Sequence, residues 1–305
     1  MNALLPALAA RARAAVHSNA DAECRCTATD AVLAERSDTA TVVRHGTTVA
    51  KAHAPGTDPA ELSLRLATAT RLHGTLLAPL RATPVTLHGR LVTFWPYGTP
   101  VDPDRPEAAP WEAAASLIAR LHRAPVPAGL PPMRGPAKAA RAIRRLCAAG
   151  PHRSAGPVLR AWAALPAWAR AEAPLPSART LCHGDLHLGQ LVRHPADAGS
   201  WLLIDVDDLG VGDPAWDLAR PAAWYACGLL PPDEWSRFLT AYRREGGPAV
   251  PPAGDPWSAL DVPARALTVQ TAALAVAKSV AADRALDEVE QAVVDACVRM
   301  GTEVP

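Results

Sequence analysis

Lysine is almost absent: of the 31 basic side chains in 305 residues, only Lys51, Lys138 and Lys278 are lysines, and the others are arginine. A lysine that does occur is therefore worth placing. The six cysteines, Cys24, Cys26, Cys147, Cys182, Cys227 and Cys297, form no CxxC pair. With no secretory leader expected, they read as free thiols in a reducing, cytoplasmic compartment. Long apolar runs are lacking too. The opening stretch MNALLPALAARARAAV is amphipathic and carries arginine, and its apolar part is too short for a secretion signal or a membrane span. It is expected to be an ordinary first helix. No internal repeat and no coiled-coil heptad is present.

Net charge is only +1, but the halves differ. Residues 1–180 hold 22 basic against 12 acidic side chains, and residues 181–305 hold 9 against 18. Either the front half faces an anion and the back half a cation, or the bias is that of a solvated surface. The length allows one large domain or two modest ones, and two lobes are expected.

The front reads as an antiparallel meander. AVLAERSD, TATVVRHG and TTVAKAHA are short β-favouring runs, with His45-Gly46 as a turn. A helix follows, with Asp58 as N-cap, Pro59 at its first position and Gly74 as its stop. VTLHGRLVTFWPYG is then a second hairpin ending in aromatic residues, proline and glycine, a natural seam. Beyond it, Trp111, Ala115, Ile118, Leu121 and His122 recur at helical spacing, and residues 137–172 read as mostly helical with a break at Pro166. The tail is helical again, with one stretch, RALTVQTAALAVAKSVA, apolar around most of its circumference as in a buried helix.

Chemistry concentrates in LCHGDLHLGQLVR, residues 181–193. Polar groups at the mouth of a buried strand cost free energy unless partnered, so their presence asks for a function. Leu191 to Arg193 and Trp201 to Asp205 read as a hairpin joined by HPADAGS. Its outer ends then meet across the ladder, which makes Gln190 and Asp205 neighbours. With Asp185 on the loop leading in, two carboxylates and an amide oxygen form a hard-oxygen set suited to Mg²⁺. Two uses of Asp185 are open. It accepts a proton from a hydroxyl that attacks a phosphoryl group, with Asp205 and Gln190 holding the metal. Alternatively, His183 and His187 bind a transition metal with Asp185 or His194, as in metal-dependent hydrolases.

His183-Gly184-Asp185 with Gln190, then Ile204-Asp205, then GVGDPAWDLA from Gly210, resembles the aminoglycoside phosphotransferase family, a branch of the protein-kinase-like superfamily. The resemblance implies an α+β, two-lobed protein-kinase-like fold. Residues 1–97 would form a small antiparallel-sheet nucleotide lobe, and residues 98–305 a larger, mainly helical lobe with the catalytic loop and substrate site. It implies Asp185 as catalytic base, Asp205 as main Mg²⁺ ligand, and Lys51 as the lysine on the α and β phosphates of ATP or GTP. By the same resemblance Glu61 pairs with Lys51, unless it is a solvated helix-face residue; Phe94 and Trp95 lie near the purine, unless they are plain core aromatics; and Asp217 braces the catalytic loop. Gln190 stands where the family has asparagine; macrolide phosphotransferases have histidine there, and maltokinase-like kinases share the string HLGQ. The loop expected to cover the nucleotide, ERSDTA at 35–40, has no glycine, and Ser37 or Thr39 would supply its contact. The implied activity is O-phosphorylation of a small hydroxylated molecule, first of all an antibiotic. The acidic residues Asp233, Glu234, Asp283, Asp287, Glu288 and Glu290 either line or flank a site for a cationic substrate or form a solvated helix face. A sugar or amino-sugar kinase is the second reading, and an inactive nucleotide-binding relative the third. Neither nucleic acid nor membrane is expected as a partner.

Overall fold

Alternating burial in the first hundred residues builds a sheet, and one amphipathic helix covers one face of it. In the computed structural model, residues 4–16, 29–35, 39–176, 179–196 and 198–301 are described; residues 36–38 of the expected nucleotide-covering loop, with Ser37, lie outside them. The chain divides into two compact units. The first comprises residues 1–109, 127–130 and 189–207, and the second 110–126, 131–188 and 208–305.

In the first unit, α1 (Leu4–Val16) precedes strands β1 (Asp30–Glu35), β2 (Thr41–His45) and β3 (Thr48–Ala52), then α2 (Pro59–Arg71), β4 (Val85–Leu87), β5 (Arg90–Pro96) and β6 (Thr99–Pro100). The antiparallel sheet has the order β1-β2-β3-β5-β4. Leu4, Leu8 and Ala12 of α1 pack on Val43, Ala50, Ala52, Val92 and Phe94, all nearly excluded from solvent. Asp58 caps α2 by accepting from the amides of Ala60 and Glu61, and Pro59 opens the helix. Its fixed φ suits the first turn, where its missing N–H costs nothing. The helix stops at Arg71, three residues short of Gly74.

The same unit contains the hairpin β8 (Leu191–His194) and β9 (Ser200–Leu203), joined to β6 in a three-stranded sheet; the intervening strand β7 (Thr180–Cys182) belongs to the second unit. Leu191 lies opposite Leu203, and the amide of Ile204 donates to the carbonyl of Gln190.

The second unit is mainly helical: α3 (Trp111–Arg123), α4 (Gly135–Ala149), α5 (Ala155–Ala163), α6 (Ala215–Ala226), α7 (Pro232–Arg244), α8 (Trp257–Ala281) and α9 (Glu288–Met300). β7 pairs antiparallel with β10 (Gly210–Gly212). The 25-residue α8 packs against α4, α5, α6 and α9, which accounts for its apolar circumference. Helix α4 begins at Gly135 because Pro136 suits the first turn. Gly135 has no substitute there: a Cβ would lie 2.1 Å from Nε1 of Trp216. Among the described residues no helix is long and apolar enough to cross a membrane.

Candidate active site

Strand alternation sets the first group of polar residues. Lys51 of β3 pairs across the ladder with Thr93 of β5, and His53 continues the alternation two residues on, so all three share one face. Lys51 Nζ lies 2.7 Å from Asp205 Oδ1 and 2.9 Å from Asp207 Oδ2. His53 Nδ1 approaches Asp207 Oδ1 to 2.9 Å, off the angle of a good hydrogen bond. Its Nε2 meets the Thr93 hydroxyl at 2.8 Å, and that hydroxyl also accepts from Trp95 Nε1. Burial by itself would lower the Lys51 pKa, but Asp205 and Asp207 more than reverse this and hold the ammonium charged. Burial likewise pushes the Asp207 carboxyl up, and Lys51 and His53 pull it well below the usual range. Asp205 sits just past β9 with φ of +65°, a left-handed conformation that aspartate tolerates better than most residues. The side-chain amide of Gln190 lies 3.4 Å from Asp205 Oδ2. The hairpin thus brings Gln190, Asp205 and Lys51 together.

The second unit holds the other group. Asp217, fully buried near the start of α6, accepts from the amides of His183 at 2.6 Å and Gly184 at 2.7 Å. It also meets His122 Nε2 at 3.0 Å, while His122 Nδ1 meets the Tyr242 hydroxyl. Gly184 has φ of +83°, and a Cβ there would stand 2.5 Å from the carbonyl oxygen of Asp208, so the turn before Asp185 needs glycine. Asp185 is clamped on both oxygens. Oδ1 accepts from Arg220 at 2.8 Å, and Oδ2 lies 2.8 Å from Lys138. Lys138 also reaches Asp208 at 2.8 Å. Burial raises the Asp185 pKa, but Lys138 and then Arg220 outweigh it and leave the carboxyl well below its ordinary value.

The remaining expectations fare differently. Lys51 does not pair with Glu61; its partners are the two aspartates, and Glu61 instead accepts from Arg65 one turn along α2. Trp95 is on the Lys51 face, whereas Phe94 is turned to the opposite face, into the core under α1. Asp213 accepts from the Ala215 amide and shapes the turn into α6. Among the described residues, the His/Cys/Asp/Glu group whose donor atoms gather within 4.8 Å is His122, Cys182 and Asp217, which contains neither His183 nor His187. His194 Nδ1 is engaged with the carbonyl of Tyr97. These placements give the hydrolase reading no support. Asp207, His53, Lys138, Asp208 and Arg220 were missed from sequence. The acidic run DVDD at 205–208 and the rarity of lysine were the available signals.

The sequence matches the Phosphotransferase enzyme family (APH) over residues 31–257. The chain belongs to this family. No curated protein matches it by sequence. Among solved structures, a thermostable mutant of aminoglycoside phosphotransferase APH(4)-Ia, in ternary complex with AMP-PNP and hygromycin B, is similar at TM-score 0.60 and 15% identity, covering 91% of this chain and 95% of that one. Spectinomycin phosphotransferase APH(9)-Ia, with ADP and its antibiotic, is similar at 0.56 and 14%, covering 90% and 92%. A choline/ethanolamine kinase family protein from Mesorhizobium loti is similar at 0.51 and 19%, covering 92% and 90%. The fold is therefore the kinase-like one, and the protein is a small-molecule phosphotransferase.

Proposed function

We propose that the enzyme transfers the terminal phosphoryl group of ATP or GTP to a hydroxyl of a small molecule, with Mg²⁺ as the metal. The single observation that carries this reading is the 2.7 Å ion pair between Lys51 and Asp205, residues 154 apart in sequence. Lys51 binds the α and β phosphates. Trp95, on the same sheet face, stands toward the purine, and main-chain groups of the 94–97 segment hold the base.

The donors fit a hard cation: the Asp205 carboxylate is about one-third exposed, and the Gln190 amide is beside it. In the structure the amide nitrogen faces the carboxylate, and a half-turn of the side-chain amide presents its oxygen instead. Asp205 and Gln190 would hold Mg²⁺, which supplies neutralisation of the phosphate charge. Asp185 accepts the hydroxyl proton as the acceptor oxygen bonds to phosphorus, and the electron pair of the broken P–O bond leaves with the nucleoside diphosphate. The acceptor class includes antibiotics, the first candidates by family, and sugars.

Two measurements test the reading. Mg²⁺ with ATP or GTP should raise the melting temperature, as any ligand of the folded state does, and mass spectrometry should find phosphate on members of a panel of antibiotics, sugars and amino alcohols. Asp185→Asn should keep the nucleotide-induced stabilisation and lose at least 100-fold in turnover, the scale of a lost general base. An active Asp185→Asn enzyme overturns the base assignment.

A further inference from the structure

A small recess in the second unit opens on Asp185, lined by Lys138 and Arg220, the Gln270 amide, and the apolar faces of Trp216 and Leu267. Its charges are unusual for a receptor of polycations. Two cations and one carboxylate line it, and that carboxylate is already bound by both cations. Three of the six acidic residues expected to flank a cationic substrate are engaged elsewhere. Glu234 accepts from Trp111, Asp287 and Glu290 form the capping box of α9, and Glu290 holds Arg284.

We infer that the acceptor carries an anionic group, a carboxylate or a phosphate, close to the hydroxyl that is phosphorylated. The inference rests on the phosphotransferase reading of Asp185 and narrows its substrate. In the structure each Asp185 oxygen accepts a charged donor at 2.8 Å, which weakens it as a base and leaves one acceptor site on each oxygen for an incoming hydroxyl. An anion in the recess competes with Asp185 for both cations, although Lys138 keeps Asp208 and Arg220 keeps the Leu186 carbonyl as partners. It draws them from Asp185 and frees that carboxylate to take the hydroxyl proton. Arginine presents a planar fork suited to either oxyanion, and lysine a mobile point charge. A polyamine brings like charge against both and offers nothing to release the clamp.

The test measures binding by calorimetry at low ionic strength, without nucleotide, for D-glucuronate, D-glucose 6-phosphate, D-glucose, D-glucosamine and kanamycin. Expected is at least tenfold tighter binding of glucuronate or glucose 6-phosphate than of glucosamine and kanamycin, with glucose between; the first two probes separate a carboxylate from a phosphate requirement. The preference should fall below threefold in Lys138→Met and in Arg220→Met. It should also shrink in unsubstituted enzyme as salt rises to 0.5 M, which needs no variant. Equal or tighter binding of the cationic probes overturns the inference, as does no binding of either anion or a preference that survives salt and both substitutions. Stabilisation by Mg²⁺ and ATP, measured separately, reports on the phosphotransferase reading itself, so the two failures are distinguishable.

Discussion

Asp217→Asn is the sharpest probe of how the second unit holds its loop. The carboxylate accepts two main-chain amides at 2.6 and 2.7 Å and a histidine nitrogen at 3.0 Å, with no exposure to water. Asparagine keeps one oxygen and turns an NH₂ toward a donor, so at least one buried N–H loses its acceptor. A hydrogen bond to a charged group contributes about 1.5–3 kcal/mol, and breaking a buried ion pair costs about 3–5 kcal/mol. The expected loss is about 3 kcal/mol, or roughly 5 °C in melting temperature for a chain of this size, and about 4–5 kcal/mol for Asp217→Ala. Burial raises the Asp217 pKa, but the bond to His122, the charge of His122 and that of His183 leave it below its ordinary 3.8. A depressed native pKa means that this stability is fully present above the unfolded value and is lost as pH falls through the native one. The gap between the unsubstituted protein and Asp217→Asn in urea unfolding should thus narrow below about pH 4. Turnover should fall as well, since His183 and Gly184 set the path into Asp185. A gap under 1 kcal/mol at pH 7, or one unchanged at pH 3, would refute the argument.

Three further outcomes follow from single contacts. Asp58→Ala removes the acceptor for the Ala60 and Glu61 amides and should cost about 1 kcal/mol by thermal unfolding. Arg90→Met strips donors from the carbonyls of His53, Thr39 and Ala52; with little exposure there, a loss of about 2–3 kcal/mol is expected in urea unfolding. Lys51→Arg should abolish most of the melting shift given by Mg²⁺ and ATP, although charge is conserved; a full shift would show that charge alone suffices at that strand.

Legibility followed local pattern. The hairpin of β8 and β9 could be read because alternation and a turn fix its register, and that register alone puts Gln190 beside Asp205. Asp58-Pro59 was equally plain, since capping is decided within four residues. Lys138 and Arg220 were not readable as partners of Asp185. They sit 47 residues before and 35 after it, on helices α4 and α6, and only the packing of those helices brings them to the loop. Phe94 and Trp95 show the same limit within one strand. Their type suggested a shared role, yet adjacent strand residues point to opposite faces, and α1 covers only the face of Phe94. Lys51 was placed, but its partner was sought on the nearest helix and supplied by a hairpin far along the chain.

The lysine scarcity gains a physical meaning from these contacts. Two of the three lysines each bridge two carboxylates, Lys51 between Asp205 and Asp207 and Lys138 between Asp185 and Asp208, at 2.7 to 2.9 Å. A compact ammonium with three donors can meet two carboxylates converging on one point, whereas a guanidinium spreads its donors in a rigid plane and prefers one carboxylate face-on. Lys51 is also nearly buried on a strand whose neighbours Ala50 and Ala52 are fully so, and added volume in such a place costs about 1–3 kcal/mol. In a chain that otherwise uses arginine, lysine persists where two aspartates must share one small cation. Arg220, which meets Asp185 on a single oxygen, stands under no such constraint.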